Sequence, residues 1–221
     1  MFGRSKPPTE EMIALQEEKD YAGALQLALR YMGETNKPLK KYDPNFLFQT
    51  ASVYYNLDDI LSVEKPSVKL EGVDRIEEIF RITDEIPNDW IEYHEVLFLR
   101  GRCFLEINRF DEAEEIFNAL YSNSIQISLK IIKAFGEDRM KEAMVKMVHG
   151  SLTFKGIIAF ARDQDPEQAM RYFDTVLEKN PTFELALLCK NDIITIQKGG
   201  TGKVLKQYTK HEQPNMREKN S

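Results

Sequence analysis

One stretch near the middle of the chain, from His94 to Tyr121, constrains the fold more than any other. Its first half carries apolar residues at helical spacing around the small residue Gly101, and a polar break follows at Asn108. Its second half carries apolar residues three or four positions apart, with acidic residues between them. These apolar residues are Ala113, Ile116, Phe117 and Leu120. The stretch therefore predicts two amphipathic helices joined by a short turn.

The same order of residues recurs in other parts of the chain. Near the N-terminus, KDYAGALQLAL places Tyr21 three residues before Ala24, as NRFDEAEEIFNAL places Phe110 three residues before Ala113. Further amphipathic runs follow at IQISLKIIKAF and DPEQAMRYFDTVLEKNP. No stretch has the alternation of apolar and polar residues that is typical of a strand. The sequence therefore predicts an all-α fold built from repeated helical hairpins.

The central hairpin resembles a tetratricopeptide repeat, a unit of about 34 residues that forms a helix, a turn and a second helix. Small residues in such units mark where the two helices cross closely, and larger ones fill the space between units. The residues that carry the resemblance are Leu97, Gly101, Phe104, Phe110, Ala113 and Phe117. A later unit is similar, with one extra residue between Gly156 and Ala169. The resemblance implies a right-handed α-solenoid of antiparallel helical hairpins with a C-terminal capping helix.

Breaks in the helical pattern divide the chain into a central domain and two tails. Prolines, a glycine and basic residues predict a flexible N-terminal tail at 1–8. The helical repeat domain is predicted at 9–198, with an inserted loop at about 57–70, where a proline and mixed charges interrupt the helical period. A Gly-Gly-Thr-Gly run then ends the last helix. Residues 199–221 are predicted to form a flexible or partly helical C-terminal tail.

Capping residues predict where several helices begin. Asp-Pro pairs at 43–44 and 165–166 combine an N-cap carboxylate with a proline at the first helical position. We expect the first helix of the central hairpin to be capped at 88–89, with the tryptophan that follows in its first turn. Asp138 is expected to cap a later helix. That helix either turns at Gly150 or continues through it, because glycine within a helix costs only about 1 kcal/mol.

Charge and hydropathy exclude several classes of function. The chain has 36 acidic and 30 basic residues and a net charge of −6, whereas contacts to phosphates need a basic surface, so no nucleic acid partner is expected. No apolar run is long enough for a membrane helix or for the core of a secretory signal. Cys103 and Cys189 lie far apart among apolar residues, which favours two buried free thiols and leaves a disulfide as the main alternative. These features predict a cytoplasmic protein, or one on the cytosolic face of an organelle.

No arrangement of reactive residues predicts catalysis. The segment QKGGTGKV lacks the first glycine and the final hydroxyl residue of a phosphate-binding loop. His94 has no second histidine four residues away, and the acidic cluster at 111–115 is interpreted as the outer face of an amphipathic helix. A nucleophilic pair of Cys103 with His94 or His149 would need a pocket that joins them. We therefore predict no catalytic residue, no cofactor and no metal ligand, and an all-α enzyme stays as an alternative.

Function, on this resemblance, lies on the concave surface that the first helix of each hairpin lines. The positions expected to face this groove are Gln49, Val53, Glu95, Phe98, Arg102, Lys155, Ile158 and Arg162. A groove of mixed apolar and polar residues suits a helix or an extended peptide of a larger protein. The resemblance implies a non-catalytic scaffold or adaptor for protein–protein interaction, a subunit of a larger cytosolic assembly such as a membrane-trafficking complex.

A peptide-binding co-chaperone is the alternative within the same fold. Some members of the family clamp the C-terminal carboxylate of chaperones with lysines and asparagines on the inner face. Here Arg102 and Lys155 offer positive charge on the inner face, and the asparagines are missing. The co-chaperone is therefore disfavoured relative to a scaffold.

Overall fold

The structure is a computed structural model that describes residues 6–57 and 74–209. Every element of regular structure in these two ranges is helical, which confirms the all-α prediction for the described part of the chain. The chain divides into two compact units, Met1–Arg100 and Gly101–Ser221. The loop predicted at about 57–70 lies outside the described residues except for its first residue, as do most of the N-terminal tail and the end of the C-terminal tail.

The first unit contains four helices within the described ranges and the start of a fifth. They are α1 (Thr9–Glu17), α2 (Tyr21–Thr35), α3 (Pro44–Asn56), α4 (Arg75–Thr83) and α5 (Tyr93–Glu106), with a 3-10 turn at Leu39–Lys41 before α3. The Asp43 carboxylate accepts hydrogen bonds from the backbone N–H groups of Asn45 and Phe46, which confirms the start predicted at 43–44. Asp20 and Asp74 cap α2 and α4 in the same way.

Aromatic residues form the contact between α2 and α3. The rings of Tyr31 and Phe46 pack edge to face with their centres 5.1 Å apart, and Tyr42 lies 5.5 Å from Phe46. The Tyr42 hydroxyl donates a hydrogen bond to the Met32 carbonyl at 3.1 Å. The Met32 carbonyl also accepts from the Asn36 N–H at 2.9 Å, so the Tyr42 hydroxyl is a second donor that ties the residue after the 3-10 turn to α2.

The second unit takes the C-terminal end of α5 and seven further helices within the described residues. They are α6 (Phe110–Ser122), α7 (Ser124–Phe135), α8 (Glu137–Met144), α9 (Ser151–Ala161), α10 (Pro166–Lys179), α11 (Glu184–Gln197) and α12 (Leu205–Thr209). A π-helical segment, Val145–Gly150, joins α8 directly to α9. Gly150 has helical φ and ψ angles of −60° and −49°, so the chain continues through this glycine and does not turn there.

The same close contact between a glycine and a phenylalanine occurs in two hairpins of the second unit. At Gly101, an added Cβ would lie 2.8 Å from the Phe117 ring, and at Gly156 it would lie 2.5 Å from the Phe173 ring. Both phenylalanines are fully buried. The glycine of each first helix therefore allows the phenylalanine of each second helix to approach its backbone. The extra residue expected in the later unit leaves this contact intact.

Two predicted helix starts are wrong. The first helix of the central hairpin begins at Tyr93, and residues 87–93 form successive turns in which the Trp90 N–H donates to the Pro87 carbonyl at 3.0 Å. The Trp90 ring packs near Phe48, at 5.9 Å between ring centres. Asp138 caps no helix, because α8 begins at Glu137 and Asp138 is its second residue. Gly136, just before α8, has a φ of 89°. The second Asp-Pro start is correct, since Asp165 accepts from the Gln168 N–H at 2.8 Å.

The start of the predicted C-terminal tail packs against the second unit. The chain returns after α11 ends, and the carboxylate of Asp192, within α11, accepts hydrogen bonds from the backbone N–H groups of Val204 and Leu205, at 2.6 and 2.9 Å. Leu205 is fully buried, and α12 packs against α9 and α11. The described part of this segment therefore contains one short helix that packs within the second unit.

The two cysteines are buried free thiols, which confirms that prediction, and no disulfide joins them. Burial, with a smaller effect of the nearby Asp192 carboxylate, raises the pKa of the Cys189 thiol to about 12. Among the described helices, none has the length and apolar content needed to cross a membrane.

Candidate partner-binding site

Two expected groove positions of the first unit lie on α3 and differ in accessibility. Val53 is fully buried and belongs to the core, which corrects the expectation that it faces a partner. Gln49 is half-buried, and its Oε1 accepts a hydrogen bond from Gln16 Nε2 at 2.9 Å. Its Nε2 donates to Asn45 Oδ1 at 3.3 Å. Gln49 therefore offers polar atoms at the surface from a position that its neighbours already hold in place.

The other two positions of the first unit lie at the start of α5. The Glu95 side chain is only 9% exposed and lies 3.6 Å from His94 Nε2, so it presents little area to a partner, contrary to the expectation. Phe98, one turn further on, is half-buried and keeps part of its ring accessible. Of Glu95 and Phe98, Phe98 has the larger exposed fraction and so offers more area for a contact.

Arg102, also on α5 but within the second unit, lies beside the returning C-terminal segment. Burial raises the pKa of the Tyr208 phenol to about 12, and the nearby positive charge of Arg102 opposes this rise while Glu106 adds to it. The electrostatic coupling places Arg102 close to α12. Its positive charge therefore lies near this chain's own C-terminal helix.

The positions on α9 also contact their own unit. Ile158 is 1% exposed and packs in the core, which corrects its assignment to an open groove. The Lys155 ammonium lies 5.2 Å from the centre of the Tyr172 ring on α10, a cation–π distance. Lys155 is half-buried and keeps part of its side chain accessible.

Arg162 forms an ion-pair cluster that the sequence did not predict. Its Nη1 donates to Asp111 and Glu114 on α6, both at 2.8 Å, and its Nε donates to Asp163 at 2.6 Å. The carboxylates of Asp163 and, after it, Glu114 raise the pKa of the guanidinium. Asp111 and Glu114, which were predicted to lie on a solvated acidic face, thus pair with an arginine about fifty residues away. A pattern of neighbouring residues in the sequence cannot predict so distant a pair.

Among the described residues, no three or more histidine, cysteine and acidic side chains are grouped to hold a metal ion. His149, one of the residues considered for catalysis, has Nδ1 3.5 Å from Asn180 Nδ2 and packs edge to face with Phe183. Burial, followed by the charge of Lys179, lowers the pKa of His149. Its described neighbours are an amide, a ring and a lysine, which are packing partners and do not form a nucleophilic pair.

The hairpin of α5 and α6, with its glycine-to-phenylalanine crossing, defines a helical repeat unit. Residues 95–124 match the family model of the tetratricopeptide repeat. The match covers the stretch on which the resemblance was based and confirms it. No curated protein and no solved structure is significantly similar to the chain. The repeat indicates a role in protein–protein interaction, and the family consists generally of non-catalytic scaffolds.

Proposed function

We propose that the chain is a non-catalytic scaffold or adaptor that holds a protein partner in the cytoplasm, as a subunit of a larger assembly such as a membrane-trafficking complex. The observation that carries this proposal is the matched repeat at 95–124. The same glycine-to-phenylalanine crossing at Gly156 and Phe173 supports it, because repeated crossings stack hairpins into an extended surface.

The partner contacts lie at the expected groove positions that keep accessible area. These are Gln49, Phe98, Arg102, Lys155 and Arg162. The amide and the aromatic ring on the first unit suit polar and apolar residues of a partner, and the cations on the second unit suit acidic ones. A dedicated carboxylate clamp has less support, because Arg102 lies near Tyr208 and Lys155 lies over Tyr172.

The test is affinity purification of the tagged full-length chain from its native source, followed by quantitative mass spectrometry. Lys155→Glu reverses a half-buried charge at the proposed contact, and we expect it to reduce recovery of the partner by about fivefold or more. Lys141→Glu is the matched control, because Lys141 is exposed on α8 and pairs only with Asp138 among the ion pairs described. Equal recovery with both variants would remove Lys155 from the contact, and absence of any stoichiometric partner would contradict the scaffold itself.

A further inference from the structure

Helix α7 has a buried face and an unusually apolar exposed face. Its buried face, within the second unit, carries Ser124, Ser128 and Ile131. On the other side, Ile125 is 69% exposed and Leu129 is 63% exposed, the highest values among the large apolar side chains of the described residues. Ile132, half-buried, follows one turn later. These three residues, the α7 ridge, stand at positions i, i+4 and i+7 and form one continuous stripe.

The α7 ridge differs from the isolated exposed leucines that most proteins tolerate. Its residues span seven positions, which is about 10 Å at the helical rise of 1.5 Å per residue. Phe135, 49% exposed, extends the apolar surface at the end of the helix. The matched repeat ends at Ser124, where α7 begins, so the ridge lies outside the repeat and outside the predicted groove positions.

Charge next to the ridge is entirely positive within the helix. The sequence SIQISLKIIKAF has no acidic residue, and its lysines, Lys130 and Lys133, are both exposed. Lys133 is four residues after Leu129 and so lies beside it on the helix surface. Among the described residues neither lysine forms an ion pair. The net charge of the whole chain is −6, so α7 is opposite in sign to the chain as a whole.

Two other occupants fit these charges less well. An anionic membrane is an extended surface, so it would also meet Glu137 and Asp138 in the first turn of α8, whereas a helix of about two turns covers only the stretch from Ile125 to Ile132. A second copy docked on the same surface would bring its own Lys130 and Lys133 into the contact, because a two-fold interface presents the same patch twice. Like charges in one interface oppose binding.

We propose that the α7 ridge is the docking site for one amphipathic helix of a partner protein, whose apolar stripe is flanked by acidic residues. The apolar stripe of that helix covers Ile125, Leu129 and Ile132 across about two turns, as in helix-in-groove recognition. Its carboxylates pair with Lys133 at the rim, and Lys130 adds positive charge further around the helix. The proposal stands apart from the contact positions proposed above, and either can fail without the other.

The test uses the full-length chain and two synthetic helical peptides with the same leucine stripe, one flanked by glutamates and one by lysines. Fluorescence anisotropy is expected to give about tenfold tighter binding of the glutamate peptide. I125Q combined with L129Q should weaken this binding about tenfold or more, because it removes the apolar contact from two exposed positions. K130E combined with K133E should reverse the preference between the peptides.

L187Q combined with L188Q is the control, because these leucines are exposed on α11 and are not part of the ridge. The control should bind like the natural chain, and circular dichroism should confirm that every variant is folded. The proposal is overturned if neither peptide binds, or if the ridge variant binds as well as the natural chain. It is equally overturned if the ridge variant abolishes self-association, which assigns the ridge to a second copy, or abolishes sedimentation with phosphatidylserine vesicles, which assigns it to a membrane.

Discussion

At the scale of single residues, the two crossing glycines are the positions where sequence and packing are most tightly linked. Phe117, which faces Gly101, also stacks on Phe154 with ring centres 4.9 Å apart and planes 15° apart. The ring therefore cannot move away without disturbing α9. One glycine thus influences the contact between its own hairpin partner and the next helix of the same unit.

Replacing Gly101 with alanine should destabilise the protein. The new Cβ would lie 2.8 Å from a buried ring that has no free space, and overpacking of this kind costs about 1–3 kcal/mol. Gly33→Ala is the matched control, because Gly33 lies within α2 with no atom within 4 Å of an added Cβ. Alanine there should stabilise by about 0.4–1 kcal/mol. Urea denaturation of both variants measures the difference, and equal effects of the two substitutions would refute the crossing as described.

His149 should make stability depend on pH. Burial lowers its pKa in the folded chain below the ordinary 6.5, so the unfolded chain binds a proton more readily as pH falls. The contribution of neutral His149 is therefore complete above about pH 6.5 and is lost as pH falls through that value towards the lowered pKa. Urea denaturation between about pH 7.5 and about pH 5.5 should show a decrease that His149→Gln reduces. An unchanged decrease in the variant would assign the pH dependence to other groups.

At the scale of elements, the start of α12 is capped by a carboxylate from another helix. Asp192 on α11 caps the start of α12 through Val204 and Leu205, twelve and thirteen residues later. The charge and the short distances make these strong hydrogen bonds. A five-residue helix has little stability of its own, so its position rests on this cap and on the burial of Leu205.

Asp192→Ala should release the C-terminal segment. Loss of an N-cap costs about 0.5–2 kcal/mol, so amide hydrogen exchange at 204 and 205 should become roughly tenfold faster. Asp174→Ala is the control, since Asp174 pairs with Lys190 at 2.5 Å on a more exposed surface. The control should leave exchange at these two amides unchanged. Slow exchange in the Asp192 variant would mean that packing alone holds α12.

Helix boundaries were predictable where the signal is local. An aspartate followed by proline correctly marked two starts, because both residues act within one turn of the chain. The start near 88–89 was wrong because residues after Pro87 form turns and Trp90 packs near Phe48, a contact forty residues away in sequence. The pairing of Arg162 with Asp111 and Glu114 was missed for the same reason. Local patterns predict elements, whereas long-range contacts decide which polar side chains stay accessible.

At the scale of the whole molecule, the matched repeat indicates a role in protein–protein interaction. The matched hairpin and the second crossing at Gly156 are built alike, and the exposed α7 ridge is the surface that we propose a partner covers. Val53 and Ile158, expected to face a partner, instead supply the core. The accessible residues beside them supply the proposed contact. Function therefore rests on surfaces that the packing leaves open.

The central claim is that this chain works as a subunit bound to another protein. The most direct measurement is the molar mass of the tagged protein, purified gently from its native source, by size-exclusion chromatography with multi-angle light scattering. We predict a complex well above the 25.7 kDa of the chain, containing at least one other protein in stoichiometric amount. A particle containing only this chain, whether one copy or several, would contradict the account.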